Sequence, residues 1–548
     1  MKTLSRTVLT LFVLSFSCLA AIAGEVSFKI TRQYLNFPIS HKESRGRMTF
    51  EVNGKPDLSV VIRLAPDEAE YWVFKDVSAF KGKTIKITYD GNEKGLSKIY
   101  QSDEIEGQAE LYKEKNRPQF HFTTRRGWIN DPNGLIYHEG EYHLFYQHNP
   151  FERDWENMHW GHAVSKDLIH WTELPDALYP DHLGTMFSGS AVIDYDNTAG
   201  FNKGKTPAMV AAFTAASSDR QVQGIAYSLD KGRTFTKYDK NPVINSKEKW
   251  NSQDTRDPKV FWYAPSKHWV LVLNERDGHS IYTSSNLKDW KYESHVTGFW
   301  ECPELFELPV DGDKNHTKWV MYGATGTYML GSFDGKVFTP EAGKYCYTTG
   351  SIYAAQTFTN IPASDGRRIQ IGWGRISHPG MPFNGMMMLP TELTLRTTKD
   401  GIRLVNVPVK EVESLCKPLR SWKSLSSDEA NRHLKEFYDA DCLRIKTTIK
   451  LSHATDAGFN LFGQRMIGYD MNSNTLNGHF YSPQDPTSME LSADIYIDRT
   501  SIEVFIDGGL YSYSMERRPD TNNKEGFHFW GNRIEVKDLQ VFSVESIW

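Results

Sequence analysis

The chain has 548 residues, a hydrophobic fraction of 39%, a charged fraction of 24% and a net charge of -5. That length exceeds one ordinary core and predicts two or three domains, while the mildly acidic balance gives no electrostatic case for a nucleic-acid partner. The 15 Trp, 26 Tyr and 30 Phe suit strands and also supply the flat apolar platforms on which sugar rings pack.

Residues 1–23 read as a signal peptide. Lys2 and Arg6 precede the apolar run Val8 to Leu14, and Ala21-Ile22-Ala23 is a small-residue cleavage pattern ahead of Gly24. The apolar run is too short to persist as a membrane span, so an exported product is expected, whether periplasmic, cell-surface or secreted. Cys18 leaves lipid attachment as an alternative to free release. Cleavage leaves Cys302, Cys346, Cys416 and Cys442, too scattered for a disulfide framework. No C-x-x-C or H-E-x-x-H spacing calls for a metal.

Residues 24–115 predict a small β-rich accessory module. Met48 to Val52, Leu58 to Leu64, Tyr71 to Phe74 and Thr84 to Tyr89 are short strand-like runs broken by Gly, Pro and Asp. Residues 116–400 carry a repeat. Ser165-Lys166-Asp167-Leu168-Ile169-His170-Trp171 is echoed by the segments running from Ser228 to Phe235, Ser285 to Trp290 and Ser332 to Phe338. Their aromatic ends are 64, 55 and 48 residues apart. Such periods, filled with short strands and Gly/Asp turns, indicate propeller blades rather than helical repeats. Four echoes and the strand-rich stretch from Tyr353 to Leu395 predict five blades. Residues 401–548 read as a linker followed by a β-sandwich, from the alternation of Ile495 to Asp498 and Ile502 to Gly509. Ser426 and Glu429 form a capping-box pattern that predicts a helix within Ser426 to Tyr438. The fold class is therefore all-β.

Three acidic clusters fall in three different blades. Trp128-Ile129-Asn130-Asp131-Pro132-Asn133-Gly134 reads as a tight turn ahead of the β-like run Leu135-Ile136-Tyr137, presenting one Asp beside an indole. Arg256-Asp257-Pro258 and Trp300-Glu301-Cys302-Pro303 are the others. Each alone is a common structural turn or strand end. The inner strands of a propeller start near one central funnel, which brings acids of different blades together.

With His121, Phe145-Tyr146-Gln147-His148-Asn149-Pro150, Asn157-Met158-His159-Trp160-Gly161-His162-Ala163 and Phe187-Ser188-Gly189-Ser190, these motifs resemble glycoside hydrolase family 32. The likeness runs in the family's order from Arg117 through Ile497 to Phe505 in the C-terminal region. The resemblance implies a five-bladed propeller followed by a β-sandwich, and an activity among the invertases, levanases, inulinases and fructosyl-transferring enzymes. Carried onto this chain, Asp131 would be the nucleophile, Glu301 the general acid/base, and Asp257 a binder of fructose hydroxyls with Arg256 beside it. Asn130, Gln147, Trp155, Phe187 and Ser188 would shape the fructose subsite, and Trp373 a pocket wall.

The implied reaction is a retaining double displacement, in which two carboxyl groups lie roughly 5–5.5 Å apart. Asp131 is expected to stay ionised through hydrogen bonds from turn amides, and its charge to raise the pKa of Glu301. No metal or organic cofactor is implied. The expected substrate is a fructan, levan or inulin, with sucrose as a further one. The alternatives are a sucrose-preferring invertase, a fructosyltransferase, or a non-catalytic fructan-binding protein. Ser351 and Thr391 stand where the family commonly has an acidic and a basic residue, which bears on the leaving group rather than on the central reaction. The sequence does not define an oligomeric state, nor exo against endo attack.

Overall fold

The computed structural model describes residues 24–451, 456–481, 489–518 and 526–548; the segment read as a signal peptide lies outside them. The N-terminal part is two small antiparallel sheets. One orders Gly24–Lys29, Thr84–Tyr89, Gly46–Val52 and Lys55–Ile62, and the other Tyr71–Asp76, Tyr34–Ile39 and Tyr100–Ser102. Four of these strands coincide with the runs read from the sequence. Their inward side chains form one core that includes Ile39, Met48, Phe50, Val60 and Ile87. Phe151, from beyond this part of the chain, completes it.

Antiparallel four-stranded groups then follow one another. The first comprises Gly127–His138, Glu141–Asn149, His159–Ser165 and Trp171–Leu178, the second starts at Thr185–Asp194 and the third at Thr255–Tyr263. A fourth group begins with Glu304–Val310, and Ile352–Thr357, Arg368–Gly374 and Thr391–Thr398 follow it. Apolar clusters join the groups pairwise. Phe145 and Trp160 meet Met209 and Phe213, Val210 and Ile225 meet Leu271 and Leu273, and Val270 and Ile281 meet Leu305 and Met321. Tyr322 and Leu330 meet Leu393 and Leu404, and Ile369 and Met387 return to Leu135 and Leu144 of the first group. The ring is closed, which makes a β-propeller. Each fully buried Leu, Ile or Phe contributes about 1.5–3 kcal/mol to holding it. A parallel bridge at Val310–Leu395 merges the fourth group with the last strands in one nine-stranded sheet, so the hydrogen bonding does not give five separate blade sheets.

The repeat seen in the sequence is one hairpin in four copies, joining the third and fourth strands of its group. Ser165 Oγ meets Asp167 at 3.0 Å, Ser228 Oγ meets Asp230 at 2.7 Å, and Ser284 Oγ meets Asn286 at 3.1 Å. The third copy therefore starts at Ser284, one residue before the frame read from the sequence. Trp171 and Trp290 donate their indole N–H to Leu168 and Leu287 carbonyls at 2.9 and 3.0 Å.

The C-terminal part is a β-sandwich of an eight-stranded and a five-stranded sheet around Ile445, Phe459, Ile495, Val504 and Phe529. The predicted helix forms at Ser427–Leu434, and the Ser426–Glu429 capping box is present. His121, at the entry to the propeller, is buried between Asp498 at 2.7 Å and Glu503 at 2.8 Å of the sandwich. Burial opposes its charge, but the two carboxylates outweigh that and push its pKa up to about 9. A raised folded-state value means that the stability it contributes is complete below about pH 6.5 and lost as pH rises to about 9. Thermal unfolding followed across that window should show the midpoint falling with pH. His121→Gln should remove most of the slope and lower stability by a few kcal/mol at pH 6 by leaving buried carboxylates unpaired.

Candidate active site

The ends of the inner strands break their own ladders where the predicted site residues lie. In Gly127–His138 the pairing register shifts between Ile129 and Pro132, so Asn130 and Asp131 stand outside the ladder. Pro132 has no N–H to offer it. The segment is thus an irregular strand rather than the tight turn expected. Gly134 has φ +53°, and a Cβ there would stand 2.8 Å from the Phe145 ring and 3.1 Å from Trp160. The register shifts again around Ser188, at Asp257-Pro258 and at Ala354-Ala355. Bulges of this kind re-aim side chains. Asp257, Glu301, Cys302 and Ala354 all have left-handed backbones, with φ of 66°, 50°, 41° and 52°, each costing on the order of 1–3 kcal/mol. Two of the three acids, Asp257 and Glu301, carry such a backbone; Asp131 does not.

Three neutral donors converge on Asp131. Ser188 Oγ donates to its Oδ2 at 2.7 Å, Asn130 Nδ2 to its Oδ1 at 3.2 Å, and the Cys302 thiol lies 3.6 Å from Oδ2. Asn130 is itself fixed by the indole N–H of Trp128 at 2.8 Å. Side-chain donors stand in place of the expected turn amides. Burial raises the pKa of Asp131, the Ser188 and Asn130 bonds counter it, and the charge of Glu301 adds to the rise.

Glu301 sits differently. Arg256 Nη2 and Nε reach its Oε1 at 2.8 and 3.3 Å, Tyr353 donates to Oε2 at 2.5 Å, and its backbone N–H is held by Asn274 at 2.8 Å. A quarter of its side chain, 24%, remains exposed. Asp257 is buried; its Oδ2 accepts from the Cys302 N–H at 3.0 Å and faces the same thiol at 3.6 Å. Burial pushes its pKa up to about 7, Arg256 pulls it down, and Asp131 pushes it further up. Of the three carboxyl groups, one is held by neutral donors, one by a guanidinium and a phenol, and one is buried among the others. The three acids thus stand in three unlike settings within one cluster.

The remaining predicted residues join this cluster. Gln147 is buried and meets Asn133, whose amide oxygen, turned toward it, accepts from Gln147 N and Nε2 at 3.0 and 2.9 Å. The rings of Trp155 and Phe187 meet edge to face at 5.9 Å, as do Trp128 and Trp373 at 5.9 Å and Tyr353 and Trp373 at 6.4 Å. The carboxyl cluster is thereby bordered by aromatic side chains. Sequence reasoning gave no role to Cys302, inside the Trp300 to Pro303 motif, or to Tyr353, at the start of the last strand-rich stretch; both stand beside bulges or strained backbone. A separate cavity of about 610 Å³ between Asp194, Trp262, Trp319 and Arg368 includes none of the three acids.

The fold and this pair of unlike carboxyls fit the class of glycoside hydrolases. The model of the glycosyl hydrolases family 32 N-terminal domain matches residues 121–408 and that of the family's C-terminal domain matches 411–543, so the chain belongs to glycosyl hydrolase family 32. It is 40% identical over 493 residues to the levanase of Bacillus subtilis, covering 80% of this chain and 72% of that one. It is 36% identical over 521 residues to the extracellular exo-inulinase of Aspergillus niger, with 80% and 96% covered. Among solved structures, the exo-inulinase of Aspergillus awamori superposes with a TM-score of 0.69 at 30% identity, covering 80% of this chain and all of that one.

Proposed function

We propose that the chain is an exported, retaining β-fructosidase that removes fructose from the ends of fructans, with Asp131 as nucleophile and Glu301 as general acid/base. The observation that carries this is the pair of carboxyls in opposite settings, Asp131 on three neutral donors and Glu301 on Arg256 and Tyr353. In the first step an Asp131 oxygen bonds to the anomeric carbon of the fructosyl unit. The bond to the leaving oxygen breaks, and the proton of the Glu301 carboxyl passes to that oxygen. In the second step Glu301, now a carboxylate, takes a proton from water as the water oxygen displaces Asp131. Asp257 accepts hydrogen bonds from sugar hydroxyls as positive charge builds on the ring, and Asn130, Gln147, Trp155, Phe187, Ser188, Arg256 and Trp373 shape the subsite.

The names of the levanase and exo-inulinase relatives favour a fructan, and that of the exo-inulinase favours attack from the chain end. The extracellular name of one of them and the signal-like residues 1–23 favour export. No helix among the described residues is long and apolar enough to cross a membrane. Chromatography of the earliest products from levan and inulin tests the substrate reading. Fructose alone is expected; a ladder of oligosaccharides would overturn end attack, and no release from either polymer would overturn the fructan assignment.

Cys302 supplies a test of how Asp131 is tuned. Its thiol favours the ionised form of Asp131, so Cys302→Ala should move the acid limb of kcat/KM to higher pH. Losing one hydrogen bond to a charged group, about 1.5 kcal/mol, should lower kcat about tenfold. Cys302→Ser, which restores a donor, should recover part of both.

A further inference from the structure

The segment Pro150 to Asn157 is gripped by the N-terminal sheets at nearly every residue. Phe151 is buried in their core, its ring centroid 6.0 Å from Phe37 and 6.2 Å from Phe50. The fully buried side chain of Glu152 pairs with Arg63 at 2.7 Å and Arg45 at 3.4 Å. Arg153 donates its backbone N–H to the Tyr71 hydroxyl at 3.1 Å and pairs with Glu70 at 3.2 Å. Asp154 pairs with Arg63 at 3.0 Å, and Glu156 with Arg45 at 3.2 Å.

The segment ends on a clamp. Asn157 lies against the Lys55–Ile62 strand, accepting from Val61 N–H at 2.7 Å and donating to Val61 O at 2.8 Å. Trp155 is the exception. Its side chain is 49% exposed and turns the other way, onto Phe187 beside Ser188 and Asp131. From the propeller side, Asn149 accepts from Phe151 N–H at 3.1 Å and donates to Asp154 O at 2.8 Å, and Met381 O accepts from the Arg153 guanidinium at 3.2 Å.

We propose that the N-terminal sheets are a positioning element of the active site, with Arg63 and Arg45 holding Trp155 at the rim of the fructosyl subsite through Glu152, Asp154 and Glu156. A half-exposed indole on a short irregular segment has many orientations open to it. Fixing the residues on both sides removes that freedom before substrate arrives, and ordering it in advance favours binding. The inference rests on the reading of Trp155 as part of that rim. It assigns the sheets to orienting a residue rather than to holding polymer themselves.

The test is a double-mutant cycle in the full chain, with steady-state kinetics on a fructo-oligosaccharide and thermal midpoints for every variant. Trp155→Ala should raise KM about tenfold. Arg63→Met should raise KM about fivefold with kcat changed less than about twofold, and should have no further effect on KM in the Trp155→Ala background. Arg63→Lys should recover part of the loss. Arg45→Met, which leaves Arg63 on Glu152, should give a smaller KM effect of the same kind and serves if Arg63→Met does not fold. If Trp155→Ala raises KM while neither arginine variant does, the positioning role is wrong and the rim reading stands. If the arginine effects add undiminished to Trp155→Ala, the sheets act by another route and the inference is overturned. If Trp155→Ala leaves kcat/KM unchanged, the rim reading itself fails, and the inference with it.

Discussion

Asp131→Asn should lower kcat on inulin or levan by about five orders of magnitude, while fructose binding changes little. The amide keeps the size and can still meet Ser188 and the Cys302 thiol, which surround the carboxylate at 2.7 and 3.6 Å. What it loses is the anionic carboxylate oxygen needed to form the covalent bond. Because the neighbours are neutral donors, an amide introduces no unpaired charge, and the thermal midpoint should stay within a few degrees of the parent. A variant that loses activity only in proportion to lost fold would contradict the nucleophile assignment. Steady-state kinetics beside a thermal melt separates the two.

Glu301→Gln should lower kcat on fructans by about 10³-fold, with a pattern that depends on the leaving group. A fructosyl fluoride, whose leaving group requires no proton, should retain far more of its first-step rate. The second step then lacks its base, so the covalent intermediate should persist. Arg256 and Tyr353 remain beside the amide, at distances that in the parent are 2.8 and 2.5 Å. Equal losses on the fluoride and on fructan would contradict a proton-transferring role and suit a purely structural one.

Much of the architecture was legible because its signals are local. The Ser-x-Asp or Ser-x-Asn hairpins recur since four of the groups close their third strand onto their fourth with a similar turn, and Trp171 and Trp290 bond back onto theirs. Ser426 and Glu429 marked a helix start for the same reason, two side chains serving each other's backbone. The acids were legible through their motifs and the family resemblance those motifs carry.

What escaped was geometry set at a distance. Asp131 looked like the centre of a turn, yet it belongs to a strand whose ladder skips it. No pattern of polar and apolar residues announces such a skip, since the cause is a Pro without a donor and the packing of Gly134 against Phe145 and Trp160. The pairing of Tyr353 with Glu301 is likewise invisible locally, because the two are 52 positions apart and Tyr353 stands at the edge of a bulge. The N-terminal sheets carried no chemical motif in the sequence. Their contribution lies in Arg45 and Arg63, ordinary surface-type residues until the Glu152 segment is placed against them.

The division of labour between Asp131 and Glu301 is tested most directly by trapping the intermediate. The Glu301→Gln enzyme, mixed with fructosyl fluoride, quenched in acid and digested, should show a hexosyl adduct on the peptide that contains Asp131 and on no other. An adduct on a different residue, or hydrolysis of the fluoride with no adduct and with inverted anomeric configuration, would contradict the account.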